Sequence, residues 1–368
     1  MAGVTSLYVH VPFCPTICPY CDFHVVRRTP GAVEAYLDRL AAEARALAGK
    51  VGPLTTLYYG GGTPSYLRLH ELMRLLDLGL PLAPGAEVTL EANPGTLNAE
   101  RLALLKEKGV NRLSIGVQSF QDPVLKALGR AHRAKGAYRA VELALAHGFR
   151  VSVDLILGLP GQDVARDLAE AVRLGVGHVS AYTLLVEPGT PFFLMGLKED
   201  PDREAEALDT ARRVLGKAGL LRYEVSNFAR PGEQARHNQV YWQMGFWAAI
   251  GPGASAHLPA ASPGLYAERK TNPPLFRWLA GEPPATEAIS PLEHAKEALM
   301  MGLRTRAGVD VAALEQRTGL MLWARLAPAA WRLKERGLLE INARRLLPTE
   351  PGLDLAHSVV SSLWEALS

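Results

Sequence analysis

Three side chains dominate the chemistry this sequence offers. The 368 residues contain only three cysteines, and Cys14, Cys18 and Cys21 lie together as Cys-Pro-Thr-Ile-Cys-Pro-Tyr-Cys. An odd number of thiols packed this tightly cannot build a disulfide framework and fits a reducing compartment. The spacing Cys-x3-Cys-x2-Cys supplies three thiolates, enough to hold three irons of a 4Fe–4S cubane and leave the fourth iron open. An open iron can chelate the amino and carboxylate groups of S-adenosylmethionine (SAM). One electron passed from the cluster into the sulfonium then breaks a carbon–sulfur bond. The alternative is a structural zinc ion with His10 or His24 as fourth ligand. Zinc sites of that kind pair two knuckles far apart in sequence, and the chain has no second knuckle.

Further groups follow in order. Tyr59-Gly60-Gly61-Gly62-Thr63-Pro64 is a glycine run that lets backbone N–H and C=O groups approach a ligand with no Cβ in the way. Glu91, in Leu-Glu-Ala-Asn-Pro, suits ribose hydroxyls; the plain alternative is a helix cap or surface acid. Gln118 in Gly-Val-Gln-Ser-Phe precedes Arg130 in Leu-Gly-Arg-Ala-His. Asp154 stands inside an otherwise apolar run, where a carboxylate is costly unless partnered, so it is a site candidate on that ground alone. Later comes His237-Asn-Gln-Val-Tyr-Trp. Its imidazole can ligate haem iron axially, with an amide or carbonyl fixing the tautomer. Tyr241 and Trp242 can flank a flat macrocycle, and Arg236, Arg269 and Lys270 can meet its propionates. The competing reading makes His237 and Trp242 a structural latch. His257, in a glycine-rich stretch, reads as a loop hydrogen-bonder.

The elements that must position these residues alternate up to about residue 228. Strand-like runs are Leu7–Val11, Thr56–Tyr59, Glu87–Glu91, Arg112–Gly116, Val151–Ile156 and His178–Leu184. Between them Val33–Ala48, Ala99–Lys108, Gly136–His147 and Val164–Leu174 carry apolar residues at helical spacing, each ending at a glycine. Repeated β–α units imply parallel strands with helices outside, in an open sheet or a barrel, with sites at the strand C-terminal ends. Residues 229–291 are rich in Pro, Gly and Trp and read as irregular structure. From 292 to 368 the pattern predicts helices around Leu314–Gly319 and Trp331–Gly337, a two-stranded wing and a last helix from Leu353, a winged-helix-like domain. Only Arg344 and Arg345 are strongly basic there, so a structural or protein-contact role is expected rather than DNA binding. Net charge is +3 with 48% hydrophobic residues, which argues against a nucleic-acid partner. No run approaches the roughly 20 apolar residues of a membrane span. The first strand-like run starts near residue 6 without a signal-peptide pattern, so a cytoplasmic location is expected.

A cysteine motif placed directly after the first strand of a β–α series resembles that of radical SAM enzymes. The ordered motifs resemble the oxygen-independent coproporphyrinogen III oxidase family of those proteins across nearly the whole chain. The resemblance implies a partial parallel (β/α)6 barrel, then a loop-rich segment, then the winged-helix-like domain. It places Tyr8, Gly61 and Glu91 on a cluster-bound SAM, and Tyr20, Gly62, Thr63, Gln118, Arg130 and Asp154 around a second SAM. The family contains decarboxylating oxidases and a haem-chaperone branch. Oxidases carry a further cysteine two residues after the third, where this chain has Phe23. The His-Asn-x-x-Tyr-Trp motif marks the chaperone branch, and the longer N-terminal extension of the oxidases is lacking. The resemblance therefore implies a 4Fe–4S cluster, SAM and haem, with delivery to acceptor haemoproteins, respiratory ones among them, and homodimerisation on cluster loading. The alternative is an oxidase that abstracts hydrogen from coproporphyrinogen propionates with a 5′-deoxyadenosyl radical.

Overall fold

The computed structural model describes residues 3–367. Six strands, β1 (Ser6–Val11), β2 (Leu54–Gly61), β3 (Leu82–Ala92), β4 (Arg112–Gln118), β5 (Arg150–Leu157) and β6 (His178–Thr183), pair in parallel and in sequence order. The crossovers carry α1 (Pro30–Ala48), α2 (Leu69–Leu76), α3 (Ala99–Glu107), α4 (Ala134–Ala146) and α5 (Val164–Leu174), and α6 (Pro201–Lys217) follows β6. Gly175 ends α5 at φ 80°, the left-handed position that a side chain would strain.

The strands alternate in a way that fixes which side faces which layer. Leu57, Val88, Leu90, Leu113, Ile115, Val151, Val153, Val179 and Ala181 are buried in the main core under the helices. Their neighbours in sequence, Tyr58, Thr89, Glu91, Ser114, Ser152, Asp154, Ser180 and Tyr182, line a cavity on the other side. Parallel sheets normally bury apolar residues on both faces. Here one face is polar, and the sheet curls around the space it encloses.

The barrel stays partial. Past β6 the sheet continues through antiparallel β8 (Asn227–Ala229) and β7 (Leu221–Arg222), while β9 (Ala248–Ile250) adds in parallel to the free edge of β1. The order is β9-β1-β2-β3-β4-β5-β6-β8-β7, an open nine-stranded sheet.

Residues 229–291 are more regular than their composition suggests. Besides β9 and α7 (Arg236–Trp242), they form an antiparallel sheet of Ser255–Pro259, Ala267–Thr271 and Ala285–Ile289. The prolines punctuate these strands, at Pro259, Pro273–Pro274 and Pro283–Pro284, rather than dissolving them. Trp278 is buried in the main core.

A second core, with Leu299, Leu303, Leu314, Leu326, Leu333, Leu346, Val359 and Leu363, organises the C-terminal part. Its helices are α8 (Pro291–Gly302), α9 (Val311–Thr318), α10 (Trp323–Glu335) and α11 (Ala356–Glu365), with a wing of Leu339–Asn342 against Arg345–Pro348. The helix expected from Trp331 starts at Trp323, with Pro328 inside it. The last helix starts at Ala356, a separate short turn taking Glu350–Asp354. Met244, just after α7, packs into this second core.

Candidate functional site

A cavity of about 450 Å³ fills the inside of the curled sheet, a size suited to a small-molecule ligand. At its upper end, by the strand C-termini, stand Cys14, Cys18 and Cys21, all free thiols and partly buried. Of the residues that the resemblance assigns to SAM, Tyr20, Gly61, Gly62, Thr63, Glu91, Gln118, Arg130 and Asp154 line the same space. Tyr8 does not. Its hydroxyl lies 3.0 Å from His10 Nδ1, and its ring sits beside Tyr58.

Arg130 ties the parts together. Its guanidinium donates to Cys18 Sγ (3.4 Å), Tyr20 OH (3.4 Å), Asn93 Oδ1 (2.6 Å) and the Gly116 carbonyl (2.8 Å). Asn93 in turn donates to Thr63 Oγ1 at 2.9 Å, and Thr63 Oγ1 lies 3.5 Å from Cys14 Sγ. A Cβ at Gly116 would stand 2.9 Å from Gln118 Nε2 and displace that side chain. Gln118 itself adopts φ 66°, at a register shift between β4 and β5. Non-glycine residues in this conformation cost about 1–3 kcal/mol and cluster at ligand sites.

Two half-buried carboxylates on the cavity wall, Asp154 and Glu91, are both partnered. Asp154 accepts from Ser114 Oγ (2.9 Å) and Ser180 Oγ (2.7 Å). Glu91 accepts from Tyr58 OH (2.7 Å) and from the Gly61 amide (3.0 Å). Burial pushes Asp154 up to about 6 and Glu91 up to about 7, against the donors that favour their ionised forms.

The donor set fits an iron–sulfur cluster better than zinc. Burial pushes the Cys14 thiol up to about 11 and raises Cys21, so a metal would displace protons on binding. The backbone around Gly62 leaves no room for a Cβ, which would lie 2.9 Å from the Val11 and Phe13 carbonyl oxygens. His10 has both ring nitrogens engaged, Nδ1 with Tyr8 and Nε2 with the His24 carbonyl (2.9 Å). His24 Nε2 accepts the Leu275 amide at 3.0 Å. Both histidines brace the cysteine loop rather than complete a four-ligand zinc site.

The His-Asn-x-x-Tyr-Trp motif folds as α7, and the structure does not bring its histidine to the cavity. His237 is 1% exposed. Its Nδ1 pairs with Thr56 Oγ1 (2.9 Å) and its Nε2 with Tyr241 OH (2.7 Å), so neither nitrogen is open to haem iron. The helix sits at the N-terminal ends of β2 and β3, opposite the cysteines. Asn238 is the motif residue that reaches the cavity, at its floor beside Arg112 and His178. The cations expected at propionates are engaged elsewhere: Arg236 with the Gly85 carbonyl, Arg269 with Glu287 and Glu297, Lys270 with Glu268. His257 is no loop hydrogen-bonder. It lies on a strand, stacked between Trp247 and His294, and its ring nitrogens find no partner among the described residues.

Sequence reasoning missed Tyr58, Asn93, Ser114, Ser152, Ser180 and Tyr182. The signal was available: in β3 to β5 most alternate residues are polar or glycine between apolar neighbours, Ile156 being an exception. The exposed residues at the cavity mouth are mixed, Ile17, Phe23 and Leu185 standing beside Thr16, Asp22 and Glu187.

Residues 8–174 match the model of the radical SAM superfamily, and residues 289–355 match that of the HemN C-terminal domain. Proteins named "Heme chaperone HemW" from Lactococcus lactis and Bacillus subtilis are 34% and 33% identical to the chain, each over 96% of it and over 96% and 97% of their own lengths. The mitochondrial radical S-adenosyl methionine domain-containing protein 1 of Bos taurus is 38% identical over 98% of this chain and 88% of its own. Among solved structures, Escherichia coli coproporphyrinogen III oxidase (HemN) superposes with a TM-score of 0.80 at 22% identity, covering 97% of this chain and 89% of that one. That likeness is one of fold.

Proposed function

We propose, on the premise that the chain belongs to the HemW family of the radical SAM superfamily, that it binds haem and hands it to acceptor haemoproteins with a 4Fe–4S cluster and SAM in attendance. The observation that carries this reading is the convergence of Cys14, Cys18 and Cys21 with Gly61, Gly62, Glu91, Arg130 and Asp154 on one cavity. Cys14, Cys18 and Cys21 would hold the cluster. Glu91 and Asp154 would accept hydroxyl or amino groups of SAM, and the Gly61–Gly62 backbone would lie against it. Together the two groups supply one-electron cleavage of a carbon–sulfur bond. The chain's own residues hold the loop in register through Arg130, keep Glu91 and Asp154 partnered, and place Ile17, Phe23 and Leu185 at the rim, where they would meet a flat macrocycle.

The finer expectations belong to the same proposal. They are a cytoplasmic protein of three parts, 1–228, 229–291 and 292–368, that dimerises on cluster loading and serves respiratory acceptors. Among the described residues no helix is long and apolar enough to cross a membrane. Phe23, exposed at the mouth where oxidases carry a further cysteine, argues against porphyrinogen decarboxylation. The test is a haem titration of anaerobically reconstituted protein beside a coproporphyrinogen III turnover assay. We expect about four irons per chain, a saturable Soret band and no turnover. Sustained protoporphyrinogen IX formation without haem binding would reverse the reading.

A further inference from the structure

We infer that the His-Asn-x-x-Tyr-Trp helix positions the carboxylate that meets SAM: His237 stacks on Tyr58, Tyr58 gives its hydroxyl to Glu91, and both act as positioning residues for Glu91. This rests on the proposed role of Glu91 toward the SAM ribose and adds to it a function for the motif.

The geometry is continuous from helix to carboxylate. The His237 amide donates to Glu87 Oε1 at 3.0 Å, and its ring lies 5.2 Å from the Tyr58 ring at an interplanar angle of 29°. Thr56 gives its hydroxyl proton to Ser6 Oγ (2.9 Å), so His237 Nδ1–H must donate to Thr56 and Nε2 must accept from Tyr241. One tautomer is thereby selected, and the ring is fixed at both ends. Thr56 and Tyr58 share the inner face of β2, and Glu87 and Glu91 share that of β3. His237 therefore joins both strands just below the carboxylate. Tyr58 OH then reaches Glu91 Oε1 at 2.7 Å while the Gly61 amide holds Oε2 at 3.0 Å. Gly60 makes the approach possible, because a Cβ there would stand 2.7 Å from the Tyr58 ring and 2.9 Å from Glu91 Oε1.

The electrostatic neighbours of Glu91 are Tyr58 and Gly61 from β2, Asp154 from β5, and Tyr8 and Tyr241 from β1 and α7. Tyr58 and Gly61 favour the ionised carboxylate, and Asp154 opposes it. Ribose hydroxyls donate to the ionised form, so loss of the Tyr58 hydroxyl should weaken SAM and move the pH at which binding sets in upward.

The test is calorimetric SAM titration of cluster-loaded protein across pH, with iron content as the fold control, for Glu91→Gln, Tyr58→Phe and His237→Ala. A hydrogen bond to a charged group is worth enough that Tyr58→Phe should cost roughly tenfold in SAM affinity. His237→Ala should weaken SAM in the same direction by less, both variants keeping their iron and both shifting the pH midpoint upward. If Glu91→Gln weakens SAM while Tyr58→Phe and His237→Ala bind as wild type with an unmoved midpoint, the positioning role is overturned and the Glu91 assignment stands. If Glu91→Gln binds SAM as wild type, both fall together.

Discussion

Arg130 and the three cysteines show how few side chains the site depends on. Cys18 receives one of the Arg130 N–H groups and shares the cavity with two other partly buried thiols. Cys18→Ala should remove the cluster, read as loss of bound iron and of its visible absorption. Circular dichroism should be unchanged, since the main core contains none of the cysteines. His237→Ala should leave the Soret maximum of bound haem where wild type has it, because both ring nitrogens are already spent; a displaced band would make His237 a ligand in another conformation. The half-buried carboxylates predict two pH effects of opposite sign. Asp154 and Glu91 have folded values of about 6 and about 7, above their ordinary 3.8 and 4.5. A carboxyl raised in this way stabilises the fold below its unfolded value, and that contribution is lost as pH rises through the folded one. The SAM-free protein should therefore lose stability as pH climbs toward about 7, in denaturant midpoints that Asp154→Asn flattens. SAM affinity should rise over the same climb, since an ionised acceptor is needed.

At the scale of elements, glycines decide where backbones can meet. Gly352 places its Cα so that a Cβ would fall 1.9 Å from the Leu338 carbonyl oxygen, and Gly308, at φ 61°, would meet Leu346 O at the same distance. Both contacts are with wing backbone that cannot rotate away. Gly352→Ala should cost on the order of 2–4 kcal/mol, seen as a lower melting temperature of the C-terminal part with iron content unchanged. Gly62→Ala makes the complementary case, since its clash lies with the Val11–Phe13 backbone that leads from β1 into the cysteine loop. It should reduce cluster loading while leaving the wing's melting temperature where it was.

The barrel and the C-terminal part are joined by a backbone bridge between Glu224 and Thr305 and by an ion network around Arg222. Arg222 of β7, with its side chain 4% exposed, reaches Asp354 at 2.7 Å and Glu350 at 3.2 Å, and donates to the Val225 carbonyl at 2.8 Å. Arg222 is the buried member of this network, and its removal takes away one link between the two cores, while Asp354 and Glu350 keep Arg212 and Arg306. Arg222→Ala should therefore separate the unfolding of the two cores, turning a single denaturant transition into two. A transition that stays single would show that the Met244 contact and α8 hold the parts together without it.

The sequence alone determined the cysteine spacing, the parallel β–α order and most of the strand-end residues that line the cavity. Those signals are local: a spacing, an alternation, a glycine run, each set by chemistry within a few residues. The burial cost of Asp154 was legible for the same reason, because one charge in an apolar run needs a partner wherever the run folds. Its actual partners, Ser114 and Ser180, come from neighbouring strands, and only the register names them. The motif around His237 shows the limit most clearly. Its residue types suit a macrocycle, but what an imidazole does depends on what its two nitrogens meet. Here they meet Thr56, distant in sequence, and Tyr241 one helical turn on. Which of these contacts forms is decided by where α7 docks on the sheet, and that docking is a property of the packed chain.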